Sequence, residues 1–201
     1  MLSQNCISPT ISEELYITDN QVINLFRSKL NTKYSFVNKG NKNMILPLIK
    51  ELRFEQSEGI PCKNFISYNL YSDNGRPLQI SSNSNPTCVY LWGYGSKYPI
   101  AKIENATYAE IESKLGLYQL IDIENSPTFS ETQQNLINSL RSSLPKAMVT
   151  TYLYEPLVGL ITIIDPSGRS KTFEYDKGNR LQGIYDEDKN ILEAFEYHYK
   201  K

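Results

Sequence analysis

The chain has 201 residues, and its 21 Lys and Arg residues balance 22 Asp and Glu residues to a formal net charge of −1. This balance argues against a nucleic-acid-binding surface, which would appear as a basic stripe, and gives no reason to expect an anionic membrane surface as partner. The three cysteines form no CxxC pair, which excludes a zinc knuckle or a thioredoxin-type site as a motif.

Residues 1–43 are predicted to be an N-terminal segment that is loose or partly helical. Residues 1–18 show no regular pattern. From Asp19 to Leu30 the apolar residues recur at helical spacing, and Asp19 is a suitable residue to cap that helix.

Residues 44–106 are predicted to form β-hairpins. The pattern of Met44–Glu55 and Asn64–Tyr71 indicates two strands, and Thr87–Tyr94 is rich in β-branched and aromatic residues. Asp73-Asn74-Gly75 is a strong hairpin signal, because Asn and Gly tolerate the positive φ angles of tight turns.

Residues 107–144 are predicted to be a helical hairpin inserted in the β structure. Thr107 and Glu110 form a capping box, and Ser130 and Gln133 form a second one. Gly116 supplies a stop for the first helix, and Pro145 ends the second.

Residues 145–201 are predicted to return to strands joined by regularly spaced polar turns. Five segments read as strands: Met148–Tyr154, Leu157–Ile164, Arg169–Tyr175, Arg180–Tyr185 and Ile191–Tyr199. Asp residues open three of the intervening turns (Asp165, Asp176, Asp186). Gly168, Asn179 and Asn190 follow at intervals of eleven residues and are predicted to take the left-handed conformation. Tyr175 and Tyr185, which precede Asp176 and Asp186, are expected to cover the neighbouring strand while their hydroxyls stay in water.

These turns resemble a known family. Tyr175-Asp176-Lys177-Gly178-Asn179-Arg180-Leu181 is similar to Tyr-Asp-x-x-Gly-Arg-Leu, the signature of YD repeats, also called RHS repeats. Asp165–Arg169 and Tyr71–Arg76 are partial copies, and the likeness to the C-terminal region of RHS-repeat proteins common in Bacteroidetes covers about residues 44–201. The residues that carry the turn motif are Tyr175, Asp176, Gly178, Asn179, Arg180, Asp165, Gly168, Asp73 and Gly75.

The resemblance implies an architecture more than an activity. YD repeats stack antiparallel β-hairpins into a long spiralling sheet, so the expected fold is mainly β, with the helical hairpin inserted. In large members the sheet closes into a shell around a C-terminal toxin. This chain is too short to close a shell, and neither a C-terminal cargo domain nor a self-cleaving protease element is recognisable in it.

Few side chains suggest chemistry, and we expect no catalytic, cofactor-binding or metal-binding residues. His198 is the only histidine, and the acidic run Asp186–Asp188 lacks the spacing of an EF-hand loop, so a hairpin turn explains it better. Tyr90, Trp92 and Tyr94 recur at period two and would share one strand face. That face is either part of the core or a platform for a ligand such as a sugar ring.

The sequence therefore favours a non-enzymatic structural or interaction module that forms a β-sheet surface for a protein partner or for the rest of a larger RHS-type assembly. Alternatives are a carbohydrate- or peptide-binding module and a partner or remnant of a toxin locus. Open sheet edges predict self-association through Ile191–Tyr199. The absence of a signal peptide predicts cytoplasmic residence for a complete gene product, whereas a fragment of a larger RHS protein would be exported.

Overall fold

The computed structural model describes residues 12–19, 22–38, 45–57, 60–83 and 85–197. The chain divides into two units, Met1–Thr87 and Cys88–Lys201. In the described residues of both units, antiparallel strands predominate over helices, so the predicted mainly-β class is confirmed. His198 and the end of the last predicted strand lie outside the described residues.

The described residues of the first unit form five strands that pair antiparallel in chain order. They are β1 (Ser12–Asp19), β2 (Val22–Asn38), β3 (Ile45–Ser57), β4 (Ile60–Tyr71) and β5 (Pro77–Ser82). Leu52 in β3 lies opposite Thr32 on one side and Ile66 on the other, so the central strands are paired along both edges.

The helix predicted from Asp19 to Leu30 is wrong, and residues 12–19, predicted to be loose, are also a strand. β2 begins at Val22, and its Phe26 lies opposite Tyr16 in β1. An isolated helix of about twelve residues is marginal in water. By contrast, β2 bonds its backbone to β1 and then to β3, and this tertiary pairing overrides the helical spacing.

The second unit contains seven strands in the described part, again paired antiparallel in chain order without closing on themselves. They are β6 (Cys88–Gly93), β7 (Tyr98–Glu104), β8 (Met148–Glu155), β9 (Gly159–Ile164), β10 (Ser170–Tyr175), β11 (Leu181–Tyr185) and β12 (Ile191–Ala194). The first four strands predicted after Pro145 are confirmed with ends shifted by up to two residues, whereas the last, predicted as Ile191–Tyr199, ends at Ala194, and residues 195–197 are not strand.

Helices connect β7 to β8: α1 (Tyr108–Leu115), α2 (Leu117–Asn125), α3 (Glu131–Asn138) and the single turn α4 (Leu140–Ser143). Both predicted capping boxes are confirmed, at Thr107 with Glu110 and at Ser130 with Gln133. The predicted stop at Gly116, which has a φ of 85°, is confirmed. The predicted hairpin nevertheless becomes four segments, because a further helix begins directly after Gly116 and the second predicted helix is divided into α3 and α4.

The helices cover one face of β6, β7 and β8. The burial pattern of β6 alternates, with Val89 and Leu91 buried and their neighbours partly exposed. The core that results contains these fully buried side chains: Val89, Ile100, Ile103, Ile111, Ile137, Leu140 and Val149. Burying a side chain of this size stabilises the fold by about 1.5–3 kcal/mol. The core between the helices and β6 to β8 therefore stabilises the part of the sheet from which the later strands extend.

Candidate interaction surface

The same type of five-residue turn occurs three times, between β9 and β10, between β10 and β11, and between β11 and β12. We call it the Asp turn, because an Asp is its first residue. The N–H of its first residue donates to the carbonyl of its fifth, as from Asp176 to Arg180 at 2.8 Å. The N–H of its fourth residue donates back to the first, as from Asn179 to Asp176 at 2.9 Å. This is the geometry of a type I turn followed by a left-handed residue and a bulge, so each strand pair leaves the turn in a defined register.

The Asp side chain stabilises each turn from within. Its Oδ1 accepts the backbone N–H groups of the third and fifth residues. These distances are 2.8 and 3.0 Å for Asp165, 2.7 and 3.1 Å for Asp176, and 3.0 and 2.8 Å for Asp186. Two backbone donors that hairpin pairing leaves unsatisfied are thereby bonded.

These bonds favour the ionised carboxylate. The hydrogen bond from the Arg180 guanidinium is the largest cause that lowers the pKa of Asp176, and Arg180 Nε lies 2.8 Å from Oδ2. Hydrogen bonds from Ser167 and Asn190 lower the pKa values of Asp165 and Asp186 in the same way. Each carboxylate is therefore committed to its own turn.

The third Asp turn differs from the prediction. Lys189, not Asn190, has the positive φ of 63°, although Gly168 and Asn179 hold the left-handed position in the other two turns as predicted. The eleven-residue interval fails here because Asp186 follows Asp176 by ten residues, while Asp176 follows Asp165 by eleven. Asn190 instead occupies the fifth position and donates from Nδ2 to Asp186 Oδ2 at 3.0 Å.

The first unit carries the same turn between β4 and β5, and here too the prediction needs correction. Ser72, not Asp73, is the first residue: its N–H donates to the Arg76 carbonyl at 2.8 Å, and its Oγ accepts from Asn74 N and Arg76 N. Asp73 is exposed at the second position. Gly75 has a φ of 75°, as its predicted role requires. Alignment on Tyr71, which matches Tyr175, would have found this frame from sequence.

Two tyrosines that precede turns, Tyr175 and Tyr71, bond backbone carbonyls through their hydroxyls. The Tyr175 hydroxyl donates to the Leu160 carbonyl at 2.9 Å, and the Tyr71 hydroxyl donates to the Ile49 carbonyl. Burial raises the pKa of Tyr71 to about 12. The expectation that the Tyr175 hydroxyl stays in water is wrong, because its ring, like that of Tyr71, lies across the preceding strand and brings the hydroxyl to a carbonyl there.

The three aromatics of the candidate ligand face do not share a face. β6 ends at Gly93, and Tyr94 enters the following turn with a φ of 54° and joins the helix-covered core at 6% exposure. Its hydroxyl donates to the Tyr154 carbonyl at 2.9 Å. Tyr90 and Trp92 lie on the opposite, partly exposed side of β6. A ligand role for these two remains a prediction.

The first and third Asp turns lie at the same end of the sheet and border a cavity of about 580 Å³. Arg169 and Lys171 line it with the acidic run Asp186–Asp188. Within the residues described, no group of three or more His, Cys, Asp or Glu side chains is arranged to hold a metal ion.

The last strand has a partner on one side only, within the part of the chain that is described. β12 pairs with β11, and all four of its residues are exposed. Ile191 and Leu192 are 64% and 47% exposed, and the apolar side chains continue into Phe195 and Tyr197. The edge strand thus carries apolar surface together with the carboxylates of Glu193 and Glu196.

The direction of the backbone determines which N–H and C=O groups of β12 can bond a further strand. The Phe195 N–H donates to the Gln182 carbonyl in β11 at 3.0 Å. Because successive residues of a strand turn their backbone groups to opposite sides, the N–H and C=O of Ala194 point away from β11. Ala194 is therefore at the centre of the open edge.

No family model matches the chain, and no curated protein matches it. None of the helices among the described residues is both long and apolar enough to cross a membrane.

Proposed function

We propose that the chain is a non-enzymatic structural and interaction module of stacked YD-type hairpins, and that it binds an extended strand of a protein partner along β12. The observation that carries this proposal is the outward direction of the Ala194 N–H and C=O on an edge strand with exposed apolar side chains. Extended segments add to such edges through backbone hydrogen bonds, while side-chain contacts supply specificity.

The turn geometry supports the hairpin part of the proposal. Three consecutive Asp turns, each held by the same set of backbone and carboxylate bonds, keep β9 to β12 in a constant register. Their carboxylates bond the backbone of the turns, as expected for residues with a structural role. The module then presents its last strand as a regular edge.

A strand-addition assay tests the proposal. A short fluorescein-labelled peptide of alternating Val and Lys provides an extended backbone and places all its lysines on one face, where they complement the carboxylate of Glu193 or that of Glu196. We expect fluorescence anisotropy to show binding to the wild-type protein. The same peptide with its central residue replaced by proline should bind at least about tenfold more weakly, because proline lacks a backbone donor.

A matched pair of variants locates the site. Ala194→Pro removes the central outward N–H, and an edge strand tolerates proline there. Ala194→Val keeps the N–H and favours a strand. We expect peptide binding to survive in Ala194→Val and to be lost in Ala194→Pro, with unchanged far-UV circular dichroism. Equal binding to both variants would contradict strand addition at β12.

A further inference from the structure

Resting on the proposed strand addition at β12, we propose that the strand bound there is β12 of a second copy of this chain. The two strands run antiparallel, and the two Ala194 residues lie directly opposite each other. The geometry that supports this register is the direction of the backbone groups, the charge pattern of residues 188–197 and the position of the exposed apolar side chains.

The backbone permits a symmetric pair at Ala194. In an antiparallel ladder, residues whose N–H and C=O groups face each other exchange two hydrogen bonds. The Phe195 N–H bonds β11, so Ala194 points its own groups outward. When two copies meet with Ala194 opposite Ala194, each N–H faces the carbonyl of the other copy. The interface is isologous, as in most homodimers.

The charges exclude several neighbouring registers. A pair centred on Glu193 or Glu196 sets identical carboxylates opposite each other. A pair centred on Leu192 sets Glu196 opposite Asp188. Like charges directly opposite destabilise a ladder. The Ala194 register avoids them, because it sets Glu193 opposite Phe195 and Glu196 opposite Leu192.

The same register pairs the apolar side chains at the ends of the open edge. Ile191, at 64% exposure, comes opposite Tyr197 of the second copy, which is 46% exposed although its hydroxyl donates to the Leu181 carbonyl of its own chain at 2.8 Å and its ring packs under Arg180. Aromatic and β-branched cross-strand pairs stabilise sheets. In the nearest rival register, which is centred on Phe195, Ile191 would instead lie opposite residue Tyr199 of the second copy, and Leu192 would lie opposite His198.

Substitutions at Leu192 distinguish the registers. In the Ala194 register Leu192→Lys faces Glu196 of the second copy and forms two symmetry-related ion pairs, whereas Leu192→Glu creates two like-charge pairs. Both variants remove the same apolar side chain. By sedimentation equilibrium of the full chain at low salt, we expect the lysine variant to dimerise about fivefold more tightly than the glutamate variant, with a difference that shrinks as salt is added.

The wild-type chain should show a concentration-dependent dimer, which Ala194→Pro abolishes and Ala194→Val retains. A dimer that survives Ala194→Pro, or Leu192 variants of equal affinity, would overturn the β12 pairing or its register. A wild-type monomer at all concentrations would overturn the second copy as occupant. If that monomer still binds the Val-Lys peptide, the proposal of strand addition at β12 holds and only the proposal of a second copy fails. If it does not bind the peptide, both proposals fail.

Discussion

The hydroxyl of Tyr175 donates to the carbonyl oxygen of Leu160 at 2.9 Å, and this contact is possible because residue 159 is glycine. A Cβ at position 159 would lie 2.5 Å from the Tyr175 Oη, well inside van der Waals contact. The ring therefore fixes β10 across the start of β9, and a hairpin turn at one end of the strand is linked to the strand before it.

This relationship predicts non-additive substitutions. Tyr175→Phe should destabilise the protein by about 1 kcal/mol through the lost hydrogen bond. Gly159→Ala should cost about 1–3 kcal/mol through overpacking against the ring. The double variant should cost less than the sum, because Phe lacks the oxygen nearest the new Cβ. Urea denaturation of all four proteins measures the cycle. Additive costs would instead place the penalty of Gly159→Ala in the backbone of residue 159 or in the ring carbon Cζ, which Phe retains 2.8 Å from the new Cβ.

The corrected left-handed position predicts opposite effects at two adjacent residues. Lys189→Gly should stabilise the protein by about 1 kcal/mol, because Lys189 at φ 63° bears the steric cost of a side chain in the left-handed region. Asn190→Gly should destabilise it, since that change removes the side-chain bond from Asn190 Nδ2 to Asp186 Oδ2 and adds backbone freedom. Thermal denaturation measures the stability of both variants. If Asn190→Gly stabilised the protein and Lys189→Gly destabilised it, Asn190 rather than Lys189 would be the left-handed residue.

The Asp turns predict a specific loss of stability in acid. Hydrogen bonds lower the folded-state pKa values of Asp165, Asp176 and Asp186. Their stabilisation is therefore complete above the unfolded pKa of about 3.9 and is lost as pH falls through the lower folded values. Replacing all three with Asn should lower the urea midpoint at neutral pH and flatten its fall below about pH 4.

The matched control for this acid series is Asp73→Asn. It removes a carboxylate of the same type from the turn that Ser72 opens and leaves the three Asp turns intact. An acid profile of the triple Asn variant that keeps the wild-type slope would show that the Asp turns do not couple protonation to folding.

Arg141 predicts a stability effect that a lysine cannot rescue. Its Nη2 lies 2.9 Å from the Val149 carbonyl and 3.2 Å from the Ile164 carbonyl, so it joins α4 to β8 and β9. Burial lowers its pKa, yet the guanidinium keeps its charge because that pKa starts far above neutral. Arg141→Met should destabilise the protein by roughly 2 kcal/mol or more.

Arg141→Lys is the charge-matched control for that change. A lysine ammonium is a single nitrogen and cannot bond Asn138 Oδ1, which Nη1 reaches, and the carbonyls of Val149 and Ile164, which Nη2 reaches, at the same time. This variant should therefore lose nearly as much stability as Arg141→Met in chemical denaturation. Full rescue by lysine would show that charge alone, rather than the geometry of the guanidinium, holds α4 to the sheet.

The amino-acid sequence by itself determined the features that depend on neighbours a few positions apart. The capping boxes at Thr107 and Ser130 and the left-handed positions at Gly168 and Asn179 follow from bonds within four or five residues, so local residue types suffice to predict them. The strands after Pro145 follow from the same turn chemistry.

Only the tertiary structure decided the rest, because it depends on distant chain segments. The residues after Asp19 have helical spacing but form β2, because β1 and β3 offer hydrogen-bond partners to their backbone. Tyr94 left the strand face because helices built elsewhere in the chain make a core beside it. The outward direction of Ala194 depends on a single bond from Phe195 to Gln182, thirteen residues earlier, and no local pattern encodes which side of a strand remains open.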